Sequence, residues 1–557
     1  MRLDMNIPFR IRLGVTGHRQ LPGTDMLSGK IKLVLDSLRN GTSELFDSDS
    51  RKIIYSSTHT PLAFSILTPL AEGADRLVAK EVLKCPDSRI EVVLPLAKED
   101  YMEDFESSES RQEFEFLMAK ARRPISLKRQ NLREEFPGGD LAEARRQAYE
   151  DVGRYVVDHC DVLIAIWDQE PSRGKGGTAE IVNYARSKKR PLVVISPNSP
   201  SHTSVEIGHG LFVNSIHNIE LFKTCDIPEQ DQEEYINNLY KELFRNSEGE
   251  KLSEDSKRLV KEKLLPFYVR ASTLAKNNQK FYRFVGPMVY FLSVAAIVSV
   301  ASGILFYREA PLAFLVEFII LAFIFILVTY ANSRGTHKKW IETRFLAERI
   351  RSAIYFAVCG VEPSPINVPP YMGMAHRSDD WMVKIFDEIW SGLPRMKGCA
   401  AEHCRTLIEY VHVRWIKDQM AYHRVKHTKA KRISRILEGS GLAVFFAAMA
   451  AAAAHLIFYS AQEPQTTKLE SLLIFSAIIL PAVGAAIGGI RSHREYSRME
   501  KRSKNMEVVL SELDERFLSI ATPEALESLL RETEELMLRE TQDWLMLMRF
   551  VELKPAV

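Results

Sequence analysis

At 557 residues, with 74 Lys and Arg against 72 Asp and Glu, the chain is too long for one ordinary core and too evenly charged to be drawn as a whole to nucleic acid. Six cysteines without a framework spacing read better as reduced cytosolic thiols than as a disulfide framework. Cys399, His403 and Cys404 lie close together but lack the fourth ligand and the spacing of a zinc site, so no metal is expected, and the opening residues lack the pattern of a signal peptide.

Phe9, Ile11, Leu13 and Val15 alternate as in a strand that ends in Gly14-Val15-Thr16-Gly17-His18-Arg19. A helix around Leu27 to Leu38 and a polar stretch to Thr60 follow. A second strand, Leu62 to Leu67, runs into Ala71-Glu72-Gly73-Ala74-Asp75-Arg76 and a helix through Leu83. A third strand is expected over Ile90 to Pro95, a helix around Arg111 to Ala121, a short strand near Pro124 to Leu127, and a helix over Leu141 to Asp158. Val162 to Trp167 is an unbroken apolar run, the pattern of a parallel strand buried on both faces. A polar loop then leads to Gly176-Gly177-Thr178, a helix with apolar Ile181, Val182, Tyr184 and Ala185, and a further strand over Pro191 to Ile195. Strands alternating with helices in this way predict an α/β, Rossmann-like parallel sheet covered on both faces.

Ligands of such sheets sit beyond the carboxyl ends of the strands. Three loops qualify: Gly14 to Arg19, Thr68 to Arg76, and Asp168 to Thr178. The first free amides of a helix, with its dipole, favour a phosphate; a glycine turn made for tight packing is the alternative reading of Gly176-Gly177. Neither a Walker A sequence nor a dinucleotide fingerprint is present. Arg19 offers a fork suited to phosphate, although Arg19 and Arg76 also have Glu72 and Asp75 within reach in sequence. His18 reads equally as a solvated loop residue, and Trp167 as core packing before a base-stacking platform.

Beyond Pro200 the periodicity weakens, with an exposed helix and linker over Glu229 to Glu250 and a basic helix over Leu259 to Tyr282. Four apolar segments then stand out, Phe284 to Tyr307, Pro311 to Tyr330, Gly439 to Ser460, and Ser471 to Ile490. Each is long enough to cross a bilayer, so an all-α membrane domain with four transmembrane helices in two hairpins is expected. Lys276, Lys280 and Arg283 flank the first, Arg334, Lys338 and Lys339 the second, Lys429 to Arg435 the third, and Arg491, Arg494 and Arg498 the fourth. The connecting turns are poor in Lys and Arg, which predicts both termini and residues 362–424 in the cytosol, at the inner membrane. Gly484 and Gly488 form a GxxxG and Ala447 to Ala454 is alanine-rich, a pattern for close helix packing and a homo-oligomer. Glu317 and His455, near the outward ends, read as interfacial before pore-lining.

The stretches GVTGHR, LAEGADRLVAKEVL, LPLAKEDYMEDF and DVLIAIWDQEPSRGKGGTAEIVNYA resemble a bacterial branch of the SLOG superfamily, over about residues 8–200. That superfamily includes the LOG phosphoribohydrolases, the DNA-processing protein A group and the amino-terminal domain of melastatin-type TRP channels. The resemblance implies a nucleotide-derived ligand held by Gly14, Thr16, Gly17, His18 and Arg19, then Glu72, Gly73 and Asp75, then Gly176, Gly177, Thr178 and Glu180. One departure bears on activity. The final Glu of the LOG hydrolase pattern falls on Ile181, and Glu180, one residue early, lies about 100° away around the helix. Trp340 to Arg351, an extended amphipathic helix after the second span, makes the first hairpin similar to SLATT domains, the two-span effectors found with nucleotide-signalling systems; the second hairpin lacks that signature.

The expected organisation is a SLOG-like nucleotide-binding domain over 8–200, a helical linker over 201–283, a first transmembrane hairpin with its cytosolic helix over 284–358, a cytosolic connecting segment over 359–438, a second hairpin over 439–520 and a helical tail over 521–557. The expected function is a membrane-anchored sensor-effector that binds a nucleotide-derived signal and triggers a pore-forming or membrane-disrupting state in antiviral defence or stress. The alternatives are a membrane-tethered phosphoribohydrolase or N-glycosidic hydrolase, and a constitutive transporter or channel. No cofactor is expected beyond the nucleotide-like ligand, and the partners expected are that ligand, the lipid bilayer and further copies of the chain, without nucleic acid.

Overall fold

The computed structural model describes residues 7–40, 60–105, 107–121, 124–127, 140–170, 177–199, 203–206, 212–225, 227–245, 247–307, 310–363, 381–394, 396, 398–399, 401–460 and 468–549. They form two compact units. One comprises Met1–Asp226 with Val368–Ser391, and the other Ile227–Asn367 with Gly392–Val557.

The sheet unit runs β1 (Phe9–Gly17), α1 (Thr24–Asn40), β2 (Leu62–Thr68), α2 (Ala74–Leu83), β3 (Arg89–Leu94), α3 (Lys98–Met102), α4 (Ser108–Lys120), β4 (Ile125–Ser126), α5 (Leu141–His159), β5 (Val162–Ile166), α6 (Thr178–Ser187), β6 (Leu192–Ile195), β7 (Thr203–Glu206) and α7 (Val213–Thr224). The strand order is β4-β3-β2-β1-β5-β6-β7, parallel throughout except for β7, which pairs antiparallel with β6. The chain therefore builds outward from β1 in one direction, returns, and continues from β5 in the other. The crevice at the carboxyl ends of β1 and β5 is the topological switch point, where ligands of doubly wound sheets bind. All five residues of β5 are fully buried, as its apolar run requires. The predicted α/β sheet is present, with α3 and α7 added to the helices expected.

The helical unit opens with α8 (Glu229–Phe244) and the short α9 (Glu254–Leu259). The basic stretch and first apolar segment then form one helix, α10 (Leu265–Ser302), followed by α11 (Ala310–Ser333) and α12 (Thr336–Cys359). The chain next contributes α13 (Trp381–Ser391) to the sheet unit before returning. Back in the helical unit it forms α14 (Cys404–Val411), α15 (Asp418–Ser460), α16 (Lys468–His493), α17 (Tyr496–Ser519) and α18 (Pro523–Arg549). Four helical stretches are long and apolar enough to cross a membrane. In the second pair, none of the most apolar window is buried, a surface that water does not favour. Both hairpins leave their second apolar helix through a left-handed residue, Gly335 (φ 57°) before α12 and Glu495 (φ 49°) before α17.

The helix expected over Trp340 to Arg351 is present as part of α12, and it is deeply packed: Trp340, Phe345, Leu346, Ile350 and Phe356 are buried on several faces, and even Arg349 is 2% exposed, ion-paired with Glu534. Within the chain, the tightest glycine contact of the fourth apolar helix falls beside the GxxxG pair. Gly488 has open space around it and Gly484 meets Val444 only at van der Waals distance, whereas a Cβ on Gly489 would run into the Tyr290 ring.

α13 explains an oddity of β1. Arg10 and Arg12 interrupt an otherwise apolar strand, and a cation cannot stay buried without an anion. Arg10 is 7% exposed and pairs with Glu388 of α13 at 2.5 Å and with Asp87 at 2.9 Å. Arg12 reaches Glu91 at 3.1 Å and Asp387 at 3.3 Å, and Arg89 also meets Glu388. These contacts lie toward the amino end of β1, opposite the switch-point crevice.

Candidate ligand site at the switch point of the sheet

A cavity of about 540 Å3 opens at the carboxyl ends of β1 and β5. Its floor is the end of β1, Val15 to Arg19, and its far wall is Trp167, Asp168 and the start of α6. Pairing of Gly17 with Ile166 fixes the two strand ends side by side, and the His18 amide donates to the Ile166 carbonyl at 3.2 Å.

Glycine is required at two places. A Cβ on Gly17 would lie 2.5 Å from the Ala74 Cβ and 2.8 Å from the Ile166 carbonyl oxygen. Gly73 adopts φ 77°, and a Cβ there would collide with the His18 and Arg19 carbonyls. The α2 amino terminus therefore presses against the β1 loop, and the Ala74 amide donates to the His18 carbonyl at 3.1 Å.

Of the twelve residues expected to hold a ligand, Thr16, Gly17, His18, Arg19, Asp75, Gly177 and Thr178 line this cavity. Gly14 lies deeper in β1, where a Cβ would meet Val156 at 2.8 Å, so it serves helix–sheet packing. Gly73 shapes the loop from behind. Glu72 accepts a hydrogen bond from the Ser110 hydroxyl, and neither it nor Glu180 is among the lining residues. Gly176 lies outside the described residues. Arg76 is bound elsewhere: it donates to the Leu70 and Ser110 carbonyls, pairs with Glu113 at 3.0 Å, and lies 4.5 Å over Phe105.

Asp75 is the chemically distinctive member. It is 5% exposed, and burial pushes its carboxyl up to about 7, against the opposing pull of the Thr68 hydroxyl (2.9 Å), the Ala71 amide (3.3 Å) and the charges of Arg19 and Arg76. A carboxyl near neutrality in a cleft is a common mark of a functional site. The loop before it is strained: Leu70, fully buried, has φ 58°. Gln169, in the loop after β5, has φ 67°.

His18 Nε2 lies 3.1 Å from Asp168 Oδ1 and 3.3 Å from the Asp168 amide nitrogen. Protonated, it donates to the carboxylate; bare, it accepts from the amide, and either form holds the β1 and β5 loops together. Arg19 is exposed, stacks 5.6 Å over Tyr149, and makes no ion pair among the described residues, so it is available to an anion. The Gly177 cap of α6 has no side-chain acceptor, leaving the first amides of the helix to a ligand.

Sequence reading missed Tyr101, Arg146, Tyr149 and Gly153, all of which line the cavity. The Tyr101 ring is fully buried, and the Tyr101 and Tyr149 hydroxyls have no hydrogen-bond partner among the described residues. Their spacing in helices looks like core packing, and only the fold brings them to β1. Trp167 is largely buried, with its indole N–H donating to the Glu170 carbonyl at 3.1 Å, which fits the packing reading. Ile181, where the LOG pattern has its final Glu, is 2% exposed and lines the cavity against Gly153.

The class defined by fold and site is a doubly wound sheet unit, with a cavity of mixed polar and apolar lining at its switch point, joined to a helical unit with four helices of bilayer-crossing length. No protein-family model matches this chain, and no curated protein or solved structure matches it either.

Proposed function

We propose that the sheet unit binds a nucleotide or nucleotide-derived anion at the β1/β5 switch point, and that occupancy changes the state of the four apolar helices. In this reading the protein is a membrane sensor-effector of the SLOG and SLATT kind, serving bacterial defence or stress response. The observation that carries it is the cavity itself. It joins an unpaired Arg19, two unpartnered tyrosine hydroxyls and the uncapped start of α6 at the place where such sheets take phosphates. The basic flanks of the apolar helices support both termini on the cytosolic side of the inner membrane.

A route to the membrane helices is available along the chain. α13 is part of the sheet unit, yet the segments before and after it belong to the helical unit. A ligand gates only if it prefers one of two states, so its affinity must differ between them.

Asp75 favours a second reading. A carboxyl held near neutrality can serve as general acid or base, as hydrolysis of a nucleotide or N-glycosidic bond needs. Full-length protein in dye-loaded liposomes, challenged with a panel of adenine and guanine nucleotides and ADP-ribose, separates the two. Leakage on addition of one of them supports the sensor-effector. Turnover without leakage moves the assignment to the hydrolase, and leakage indifferent to every nucleotide favours a constitutive channel.

A further inference from the structure

A second cavity, of about 500 Å3, lies within the helical unit and is lined by residues that flank the four apolar segments on the side away from their hairpin turns, those after the second segment coming from α12. Arg283 comes just before the first apolar segment, Arg344 follows the second, Lys426 and Lys429 precede the third, and Arg494 and Arg498 follow the fourth. With Arg502, seven cations line the cavity against one lining carboxylate, Glu495, which is itself paired with Arg498 at 2.8 Å; outside the lining, Glu348 lies 4.0 Å from Arg344. Such a concentration of like charge is unfavourable unless an anion joins it.

The site is built rather than incidental. Glu495, at φ 49°, breaks the chain between α16 and α17 and turns Arg494 into the cluster, where its guanidinium donates to the Arg283 carbonyl at 2.6 Å. The Arg494 Nε and the hydroxyl of Tyr282, a residue 3% exposed, are buried without a hydrogen-bond partner among the described residues. The Tyr282 ring packs at a tilt against His337 and Trp340, both at the start of α12, and against His493. An aromatic and basic ring at one end of bilayer-length helices is the composition of a membrane interface.

We propose that this cavity holds the phosphate of an anionic phospholipid headgroup, with the cations around the phosphate and the Tyr282 and Trp340 side at the acyl boundary. Basic pockets between membrane helices bind such headgroups. A soluble phosphate shares the chemistry, but the place of the cavity at the ends of the apolar helices favours the lipid. The inference rests on those helices spanning the bilayer, which resistance of the protein to alkaline carbonate extraction tests separately.

Delipidated full-length protein in detergent is titrated with cardiolipin, phosphatidylglycerol or phosphatidylcholine and followed by native mass spectrometry, with inorganic pyrophosphate as soluble competitor. Cardiolipin and phosphatidylglycerol should be retained and phosphatidylcholine lost. The pair Lys426→Gln and Arg494→Gln should weaken retention by at least about tenfold, two interfacial cations having been removed. The pair Arg516→Gln and Arg539→Gln, exposed cations elsewhere in the helical unit, should change nothing. Equal binding of phosphatidylcholine, or no effect of the first pair, would overturn the site. Pyrophosphate binding as tightly as the lipids would overturn the lipid assignment. The wild-type selectivity and competition decide the matter even if a variant fails to fold.

Discussion

Lys384 of α13 donates to Asp161 at the foot of β5 across 2.5 Å, although 223 residues separate them. The same ammonium donates to the Arg10 carbonyl at 2.8 Å and lies 4.9 Å over the Phe9 ring. Lys384 is 7% exposed and Asp161 is fully enclosed, while Asp161 also accepts from the Arg12 amide at 2.7 Å. This pair anchors a helix from the middle of the chain to the end of the sheet opposite the candidate ligand cavity.

Lys384→Met should therefore leave a carboxylate buried without its cation. The expected loss is about 3–5 kcal/mol in the docking of α13, the cost of removing one partner of a buried pair. Hydrogen exchange should show the α13 amides opening while those of β5 stay protected. Adding Asp161→Asn should restore part of the protection. Unchanged exchange in α13 would mean that its apolar face alone holds it.

Asp75 predicts a pH dependence with a definite sign. Its folded-state value of about 7 exceeds the ordinary carboxylate value, so the folded form keeps a proton that the unfolded form releases. The stability this contributes is full below about pH 4 and is lost as pH rises through 7. An anionic ligand raises the value further, so nucleotide affinity should fall between pH 6 and 8. Asp75→Asn should flatten that profile, measured by calorimetry on the full chain; an unaltered slope would place the linked proton elsewhere.

Within the helical unit, Gly489→Leu should be costly and Gly488→Leu tolerated. A side chain at 489 drives into Tyr290, and overpacking of this kind costs about 1–3 kcal/mol. Position 488 is open within the chain, so thermal unfolding in detergent should barely change. If Gly488→Leu leaves folding intact but lowers the oligomeric state, that face packs against a second copy. The reverse order of stabilities would contradict the packing of α10 against α16.

The parallel strands and the four apolar helices were legible because burial leaves its record in local hydropathy. β5 and the four segments are apolar whatever their partners. The loop residues Thr16 to Arg19, Asp75, Gly177 and Thr178 were legible from their position after strands. α13 was not: Lys384, Asp387 and Glu388 look like the polar face of an ordinary helix until the fold brings Arg10, Arg12 and Asp161 beside them. A trace of it was present, since Arg10 and Arg12 in a buried strand require anions from somewhere. Tyr101 and Tyr149 stayed hidden for the opposite reason, their apolar rings resembling core. Gly489 was passed over because small-residue spacing shows which glycines share a helix face, but not which of them meets a neighbour.

The central claim is that the switch-point cavity holds a nucleotide-class anion, and the α6 cap tests it most directly. Gly177 has φ −71° and no side-chain cap, so Gly177→Asp fits the backbone and supplies a good helix cap. Its carboxylate would nevertheless occupy and repel the anion position. Metabolites released by heat from purified full-length protein, quantified by mass spectrometry, should include a nucleotide-derived species in about equimolar amount from the wild type, falling at least about tenfold in a folded Gly177→Asp protein, equivalent to about 1.4 kcal/mol. No nucleotide-class species in the wild type, or equal retention by both proteins, would contradict the account.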